Sequence, residues 1–389
     1  MNPSRGKIFF VGIHDWNSPV QVGVHHIARQ FLKHNWRVAY ISAPITPLHL
    51  FSMNKRGKRV KERWRNYRNA SEYRESGRLW SHTPFSLIAP DVRFPLNSRF
   101  VLERWQNFSF SNLKLLISEK GFDSVDILFF DSIFQPFWLD FLKYRKCVFR
   151  IRDANSAVPG FSHSMKAAEK RLAKTSDAVF YSAKNLAPYV RNLFPQKAAY
   201  LPNGVEYSHF DRPCPRVPKE YLNLRNPIVL YVGVIDHRFD IDLVHDLSVK
   251  LPYCDFVLIG PAFIGIKRLC RRENVHCLGS IAYDHIPKYM KYAHVGIVPF
   301  RSGGGRGCLD SISPLKMIQY FASGLPTVTS AWDELTMMSP PASICHNLEE
   351  FSEAIASAID SPPDAEELKA FARRFDWGKI FRRLNNTLF

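Results

Sequence analysis

The sequence predicts an α/β protein of two doubly wound domains, on three observations. Its 389 residues suffice for two domains of roughly 150 to 200 residues each. Short apolar runs that stop at glycine or proline alternate with helix-length amphipathic segments, the rhythm of parallel sheets covered on both faces. A polar, proline-rich stretch at 208–227 separates two such series. Residues 7–13 read as the first strand, 22–33 as a helix with one apolar face and 36–42 as the next strand. Residues 44–100 are rich in proline, arginine and aromatics and fit neither period, so they read as an insertion over the inter-domain cleft. A helical pattern covers 100–119. Strands at 125–130 and 147–151 flank a helix at 134–144. Helices at 164–175 and 185–193 alternate with strands at 178–182 and 198–201, and the series closes at Pro202-Asn203-Gly204-Val205. The second series has strands starting at Tyr231 and at 255–260, 274–279, 293–300 and 325–329. Residues 368–388 read as one terminal helix anchored by Trp377 and Phe381. The domain boundaries are therefore 1–207, a linker at 208–227, 228–366, and a terminal segment at 367–389.

Composition narrows the class. No apolar run approaches the roughly 18 residues of a membrane span. The run at 8–13 is too short for a signal-peptide core and precedes no small-residue cleavage site. The seven cysteines form no C-x-x-C pair and no zinc spacing. Several fall in expected strands, where a reduced cysteine acts as a small apolar residue. A cytoplasmic setting without a metal or bound cofactor is expected. The net charge of +18 is partly local: Lys55, Arg56, Arg59, Arg63 and Arg65 are interleaved with Trp64 and Tyr67. That mixture suits an anionic membrane surface or a lipid-linked anionic acceptor. It would equally serve as a solvated, solubilising segment. Nucleic acid ranks below both, because no recognition module accompanies the charge. Oligomeric state is not encoded legibly.

The most specific stretch is Ser313 to Pro326, S-P-L-K-M-I-Q-Y-F-A-S-G-L-P. Ser313 as cap and Pro314 as first helical residue would open a helix whose amino end attracts an anion. Lys316 in the first turn would reach a pyrophosphate, and Gln319 lies one turn later on nearly the same face. The plain alternative is an amphipathic helix packing Leu315, Ile318 and Phe321. Gly233 and Val234 would form the turn nearest the phosphates, where a missing side chain lets backbone approach. Asp236 and Asp240 read as helix caps, with contact to a bound ligand the alternative. The stretch Arg301 to Arg306 reads as a loop closing over a bound sugar, its arginines suited to a carboxylate, or equally as a plain surface loop.

These strands, with the P-F…S-P-L-K-x-x-x-Y-x-A-x-G-x-P pattern, resemble the GT-B superfamily of nucleotide-sugar glycosyltransferases. The resemblance implies two Rossmann-like domains facing a cleft, with a C-terminal helix crossing back to the first. It implies a metal-independent transferase using a UDP-sugar. Lys316, Gln319, Ser313, Leu315, Phe300 and Arg301 would lie around the donor, and Ser280 and Ile281 where the base is seated. The first half is similar to the inverting β-glucuronosyltransferases of xanthan assembly. The matching pieces are His14-Asp15 and Pro19, V-F-R-I-R-D at 148–153, the strand at 178–182 and N-G-V at 203–205. In those enzymes the final aspartate of V-x-R-x-x-D is the catalytic base, so Asp153 takes that role here, with Asp15 or His14 in reserve. From the residues alone, Asp153 follows a strand end, where ligands of doubly wound sheets bind. On the residues alone, a salt bridge with Arg150 or Arg152, or a cap on the next loop, is the slightly favoured reading. The second half also resembles teichuronic-acid glycosyltransferases. There Y-x-G-x-x-x-x-x-F-D, L-I-G-P and P-L-K-x-x-E-Y recur as Tyr231 to Asp240, Leu258 to Pro261 and Pro314 to Tyr320, with Gln319 replacing glutamate. Loss of that charge favours the inverting type. The implied reaction is transfer of a sugar, glucuronic acid among the candidates, to a lipid-linked or polysaccharide acceptor at the inner membrane face. A retaining transferase, a sugar-nucleotide epimerase and a non-catalytic basic glycan-binding protein are the rivals.

Overall fold

The computed structural model describes residues 4–18, 21–51, 63–65, 67–68, 73–74, 77–157, 159–193, 198–224, 226–301 and 313–389. The chain divides into two units, Met1–Leu201 with Phe381–Phe389, and Pro202–Ile380.

The first unit is built on an eight-stranded sheet. Its strands are β1 (Lys7–Val11), β2 (Arg37–Ile41), β3 (Tyr73–Arg74), β4 (Leu79–His82), β5 (Ser124–Phe130), β6 (Lys143–Ile151), β7 (Ala178–Tyr181) and β8 (Ala198–Tyr200). Their order is β3-β4-β2-β1-β5-β6-β7-β8, and every pairing is parallel except β3 with β4. Central β1 is apolar on both faces because both are covered. Phe9 packs with Trp138 on one side, while Phe10 meets Phe31 and Phe129 on the other. The last residues of the chain complete this unit. Phe381 stands edge-on to Phe31 at 4.9 Å and stacks on His34 at 4.4 Å, and Phe389 lies 5.8 Å from Trp36.

The second unit carries six parallel strands: β9 (Ile228–Val232), β10 (Asp255–Ile259), β11 (Val275–Gly279), β12 (Val295–Val298), β13 (Thr327–Ser330) and β14 (Ser343–Cys345). Their order is β11-β10-β9-β12-β13-β14. Leu230 and Tyr231, successive residues of β9, enter two different apolar clusters, one on each face of the sheet.

Several sequence expectations are corrected. The helical pattern at 100–119 is interrupted: helix Arg99–Arg104 runs into a 3₁₀ turn at Trp105–Phe108, and a new helix, Leu113–Glu119, starts under the cap of Asn112. The expected helix at 134–144 shrinks to Trp138–Phe141, because β6 already begins at Lys143. The terminal helix is two helices, Ala365–Arg373 and Trp377–Leu388. Phe210 and Tyr221, within the stretch read as linker, are buried in the core of the second unit. Part of the puzzling insertion supplies β3 and β4 and extends the first sheet. Cys270 and Cys277, read as reduced, form a disulfide.

Candidate active site

Two clusters gather the residues that the sequence singles out, one in each unit. In the second unit, helix Leu315–Ala322 starts one residue later than expected. Pro314 (φ −79°, ψ 58°) is its N-cap, and no side chain caps it, so Ser313 does not play that part. Pro314 ends the extended approach instead, and the Leu315 N–H donates to the Ser313 carbonyl at 2.9 Å. Lys316 is thereby in the first turn, and Gln319 follows half-buried on the same helix.

Lys316 is the informative side chain. Its ammonium lies 5.1 Å from the centre of the Phe300 ring and 5.6 Å from that of Tyr231. Among the described residues it has neither a hydrogen bond nor an ion pair. Burial, with the nearby Arg238 charge, pushes it down to about 8 from an ordinary 10.5, and Asp236 offsets this only partly. Two cation–π contacts of about 0.5–1 kcal/mol each do not replace a counter-anion for a desolvated ammonium. Room for it comes from glycine: a Cβ on Gly233 would fall 1.9 Å from Lys316 Cε, and one on Gly260 would fall 1.8 Å from the Gly233 carbonyl oxygen.

The loop after β9 adds a second cation. Arg238 chelates Asp236, with Nε at 3.0 and 3.2 Å from the two carboxylate oxygens and an Nη at 2.5 Å. Burial would raise the Asp236 carboxyl, but the Arg238 hydrogen bonds and charge hold it below its ordinary value. The loop is stitched to Phe300 and Arg301 through a Phe239–Phe300 bridge and the Arg301 N–H to the Arg238 carbonyl at 2.9 Å. Asp240 caps the next helix at Leu243 N, 3.1 Å. Val234 gives its carbonyl to the Tyr231 hydroxyl at 2.7 Å. Arg301 is exposed and 3.6 Å from Asp242. Ser280 and Ile281 follow the end of β11, Ser280 exposed and Ile281 leaning on the core. Residues 302–312, with the rest of the expected sugar loop, lie outside the described residues.

In the first unit, Asp153 follows β6 and is exposed. It lines a concavity with Ile13, Asp131, Ser132, Arg152 and Asn155. The salt bridge that could have consumed it goes elsewhere. Arg150 is fully buried and donates to Asp131 at 3.0 Å, and Arg152 lies 3.4 Å from the same carboxylate. Asp153 forms no hydrogen bond or ion pair with the described residues. Its loop is anchored from below. Asn155 donates to Glu169 at 2.7 Å, Tyr189 holds the other oxygen of Glu169, and the Ser182 hydroxyl donates to the Arg152 carbonyl at 2.8 Å.

Asp15 is occupied. It is buried and accepts from Ser42 at 3.0 Å, Thr83 at 2.8 Å and Arg63. Its oxygens are thus engaged in holding neighbouring side chains. His14 is half-buried beside it. Arg63, expected at a membrane or acceptor, is thus turned inward, and Trp64 and Tyr67 pack on Phe85 at 5.1 and 5.5 Å. Arg65 is exposed; Lys55, Arg56 and Arg59 lie outside the described residues. Sequence reasoning missed Asp131 and Arg238. Asp131 carries the same signature as Asp153, an aspartate directly after an apolar strand.

Comparison with known proteins bears on both units. Residues 10–182 match the family model described as glucuronosyltransferase GumK, N-terminal domain. TuaH of Bacillus subtilis strain 168, named as a glycosyltransferase of teichuronic acid biosynthesis, is 25% identical over 236 residues, which cover 57% of this chain. The match spans 58% of that protein's length. Among solved structures, HepE of Anabaena in complex with UDP and glucose superposes with a TM-score of 0.69, at 14% identity over 99% of both chains. Sucrose-phosphate synthase of Thermosynechococcus elongatus gives 0.68 at 16% identity, covering 98% of both. The two parallel-sheet units share the architecture of these structures. The chain thus has the fold of these GT-B-type structures, and parts of its sequence are similar to a glucuronosyltransferase domain and to a teichuronic acid glycosyltransferase.

Proposed function

We propose that the chain transfers glucuronic acid from its UDP derivative to a lipid-linked or polysaccharide acceptor in exopolysaccharide or cell-envelope glycan synthesis, inverting the anomeric centre. The observation that carries this reading is the buried ammonium of Lys316, which has no hydrogen bond or ion pair among the described residues. A diphosphate would supply a counter-charge to that ammonium, and Arg238 is positioned to share the charge. Gln319 would hold the ribose through neutral hydrogen bonds, and Ser280 and Ile281 would seat the base. Gly233 and Val234 give the backbone close approach, with Ser313, Leu315 and Phe300 lining the donor and Arg301 pairing with the uronic carboxylate. The match of the first unit to a glucuronosyltransferase domain supports the sugar, and the UDP and glucose bound by HepE support the nucleotide.

In the reaction an acceptor hydroxyl oxygen attacks the anomeric carbon. Asp153 takes the hydroxyl proton as the carbon–oxygen bond to UDP breaks, and the electron pair leaves on the β-phosphate oxygen. Lys316 and Arg238 stabilise that departing charge, so no bound metal is required. The enzyme would work as a peripheral protein at the cytoplasmic membrane face, with no nucleic acid partner.

Calorimetric titration with UDP, GDP, UDP-glucose and UDP-glucuronate tests the donor. A UDP-selective response, strongest with the glucuronate and lost in Lys316→Ala, is expected. Equal binding of GDP, or an unaltered Lys316→Ala response, would sink the donor assignment. Proton NMR of the product's anomeric centre tests inversion.

A further inference from the structure

Of the thirteen large apolar side chains exposed among the described residues, six fall between residues 48 and 115: Leu48, Leu87, Phe94, Phe100, Phe110 and Leu115. The others are scattered from Val217 to Phe389. Phe94 is 85% exposed, on the turn that leads into helix Arg99–Arg104, and Phe100 is 53% exposed in its first turn. Leu87, Phe100 and Phe110 belong to one connected piece. The Leu87 N–H donates to the Phe108 carbonyl at 3.0 Å, and the Phe110 N–H to that of Phe85 at 2.9 Å. Phe110 stacks on Phe85 at 4.6 Å, and Phe100 meets Phe108 edge-on at 6.0 Å.

The charges around them are mostly of one sign. Between residues 87 and 115 the sequence holds Arg93, Arg99, Arg104 and Lys114, against Asp91 and Glu103 only. All four cations are exposed, and Glu103 is already paired with Arg99. Exposed rings flanked by arginine and lysine fit the boundary between phosphate headgroups and acyl chains. An acidic protein surface would satisfy the cations but leave Phe94 and Phe100 in water.

We propose that this piece, and not the segment around Trp64, is where the protein docks on an anionic lipid bilayer, with Phe94 and Phe100 entering the interface and Arg93, Arg104 and Lys114 contacting headgroups. The docking surface is tied to the loop that bears Asp153. Asn97 donates to the carbonyls of Val92 and Gly160 at 2.9 and 3.2 Å, and the Ser162 hydroxyl donates to the Asn97 carbonyl at 2.8 Å. Docking therefore holds the Asp153 loop near the bilayer, where a lipid-linked acceptor would lie. That last consequence rests on the proposed function; the docking itself does not.

The test is co-sedimentation of the full chain with phosphatidylcholine vesicles, with and without phosphatidylglycerol. The wild type should pellet with the anionic vesicles, less so as salt rises, and at least tenfold more weakly with phosphatidylcholine alone. Phe94→Ser/Phe100→Ser and Arg93→Glu/Arg104→Glu should each lower partitioning about tenfold or more, with UDP titration and melting temperature unchanged. No pelleting of the wild type, equal pelleting with both vesicles, or undiminished pelleting of both variants overturns the proposal. So does a concentration-dependent dimer, seen by sedimentation velocity, that the Phe94→Ser/Phe100→Ser change abolishes. Vesicle binding without any UDP binding would leave the docking surface standing and remove the transferase reading.

Discussion

Lys316 sets two measurable quantities against each other. The folded protein holds its ammonium near 8, whereas the unfolded chain returns it to about 10.5. Below pH 8 the charge is present in both states, and its desolvation cost is paid in full. Between those values the unfolded state binds the extra proton, so this residue's contribution to stability rises with pH. Nucleotide affinity has the opposite sign, because a diphosphate needs the ammonium. UDP binding is expected to weaken as pH climbs through 8 while the apo protein becomes no less stable. Titration calorimetry beside thermal melts from pH 7 to 9.5 checks both. Lys316→Ala should lose roughly 10- to 100-fold in UDP affinity, the worth of a charged hydrogen bond, with an unliganded melting temperature at or above the wild type's. Asp153→Asn should reduce kcat by about 10²-fold or more and leave UDP affinity intact; an unchanged kcat would move the base elsewhere. Lys316 was legible because its signal is local: a cation placed against the helix dipole, beside a glycine turn. The pairing of Asp131 was not, because it involves Arg150 on the neighbouring strand and Arg152 just beyond it, and that adjacency is a property of the sheet.

At the scale of elements, helix Leu315–Ala322 is fastened to its sheet by Tyr320. The buried Tyr320 hydroxyl accepts from Val232 N at 2.8 Å, and a Cβ on Gly296 would stand 2.6 Å from the Tyr320 ring. Gly296→Ala should therefore cost about 1–3 kcal/mol through overpacking, read as a lowered denaturation midpoint at constant m-value. A neutral result would mean that the ring has room to give. The apolar rhythm placed strands and helices well where each element is its own argument. It failed where a partner decides. In residues 100–119 no proline or glycine interrupts the period, and the cap and turn formers Ser109, Ser111 and Asn112 are a weaker signal of a break. The interruption at Ser109 to Asn112 follows from Ser109 pairing with Ser86, far back in the sequence. The early start of β6 has the same cause: the Lys143 N–H donates to the Asp123 carbonyl, an anchor that alternating charged residues cannot advertise. The insertion was the hardest stretch, because β3 and β4 are short and join an edge already supplied by β2.

For the molecule as a whole, two parallel α/β sheets were readable from alternation alone, but their strand orders and the true seam at Leu201/Pro202 were not. A proline-rich composition suggested a linker, yet Phe210 and Tyr221 are core residues. Such packing can be inferred only when the partner surface is known. The assignment of Phe381–Phe389 to the first unit yields a prediction at this scale. Deleting these residues would uncover Phe31 and Trp36, and loss of a buried phenylalanine costs about 3–5 kcal/mol. Hydrogen exchange should then show β1 and β2 losing protection while β9 to β13 keep theirs. Uniform loss across both sheets would mean that the two units unfold as one.

The same arrangement has a consequence for biosynthesis. A ribosome delivers the first sheet early, but the residues that seal Phe31 and Trp36 arrive only after the whole second unit has been made. During that interval the nascent first unit carries an open apolar seam while some 180 further residues emerge (202–380). Chaperone demand in the cell should therefore track how fast the second half is translated, and synonymous changes that slow its codons would prolong the exposure without altering any amino acid.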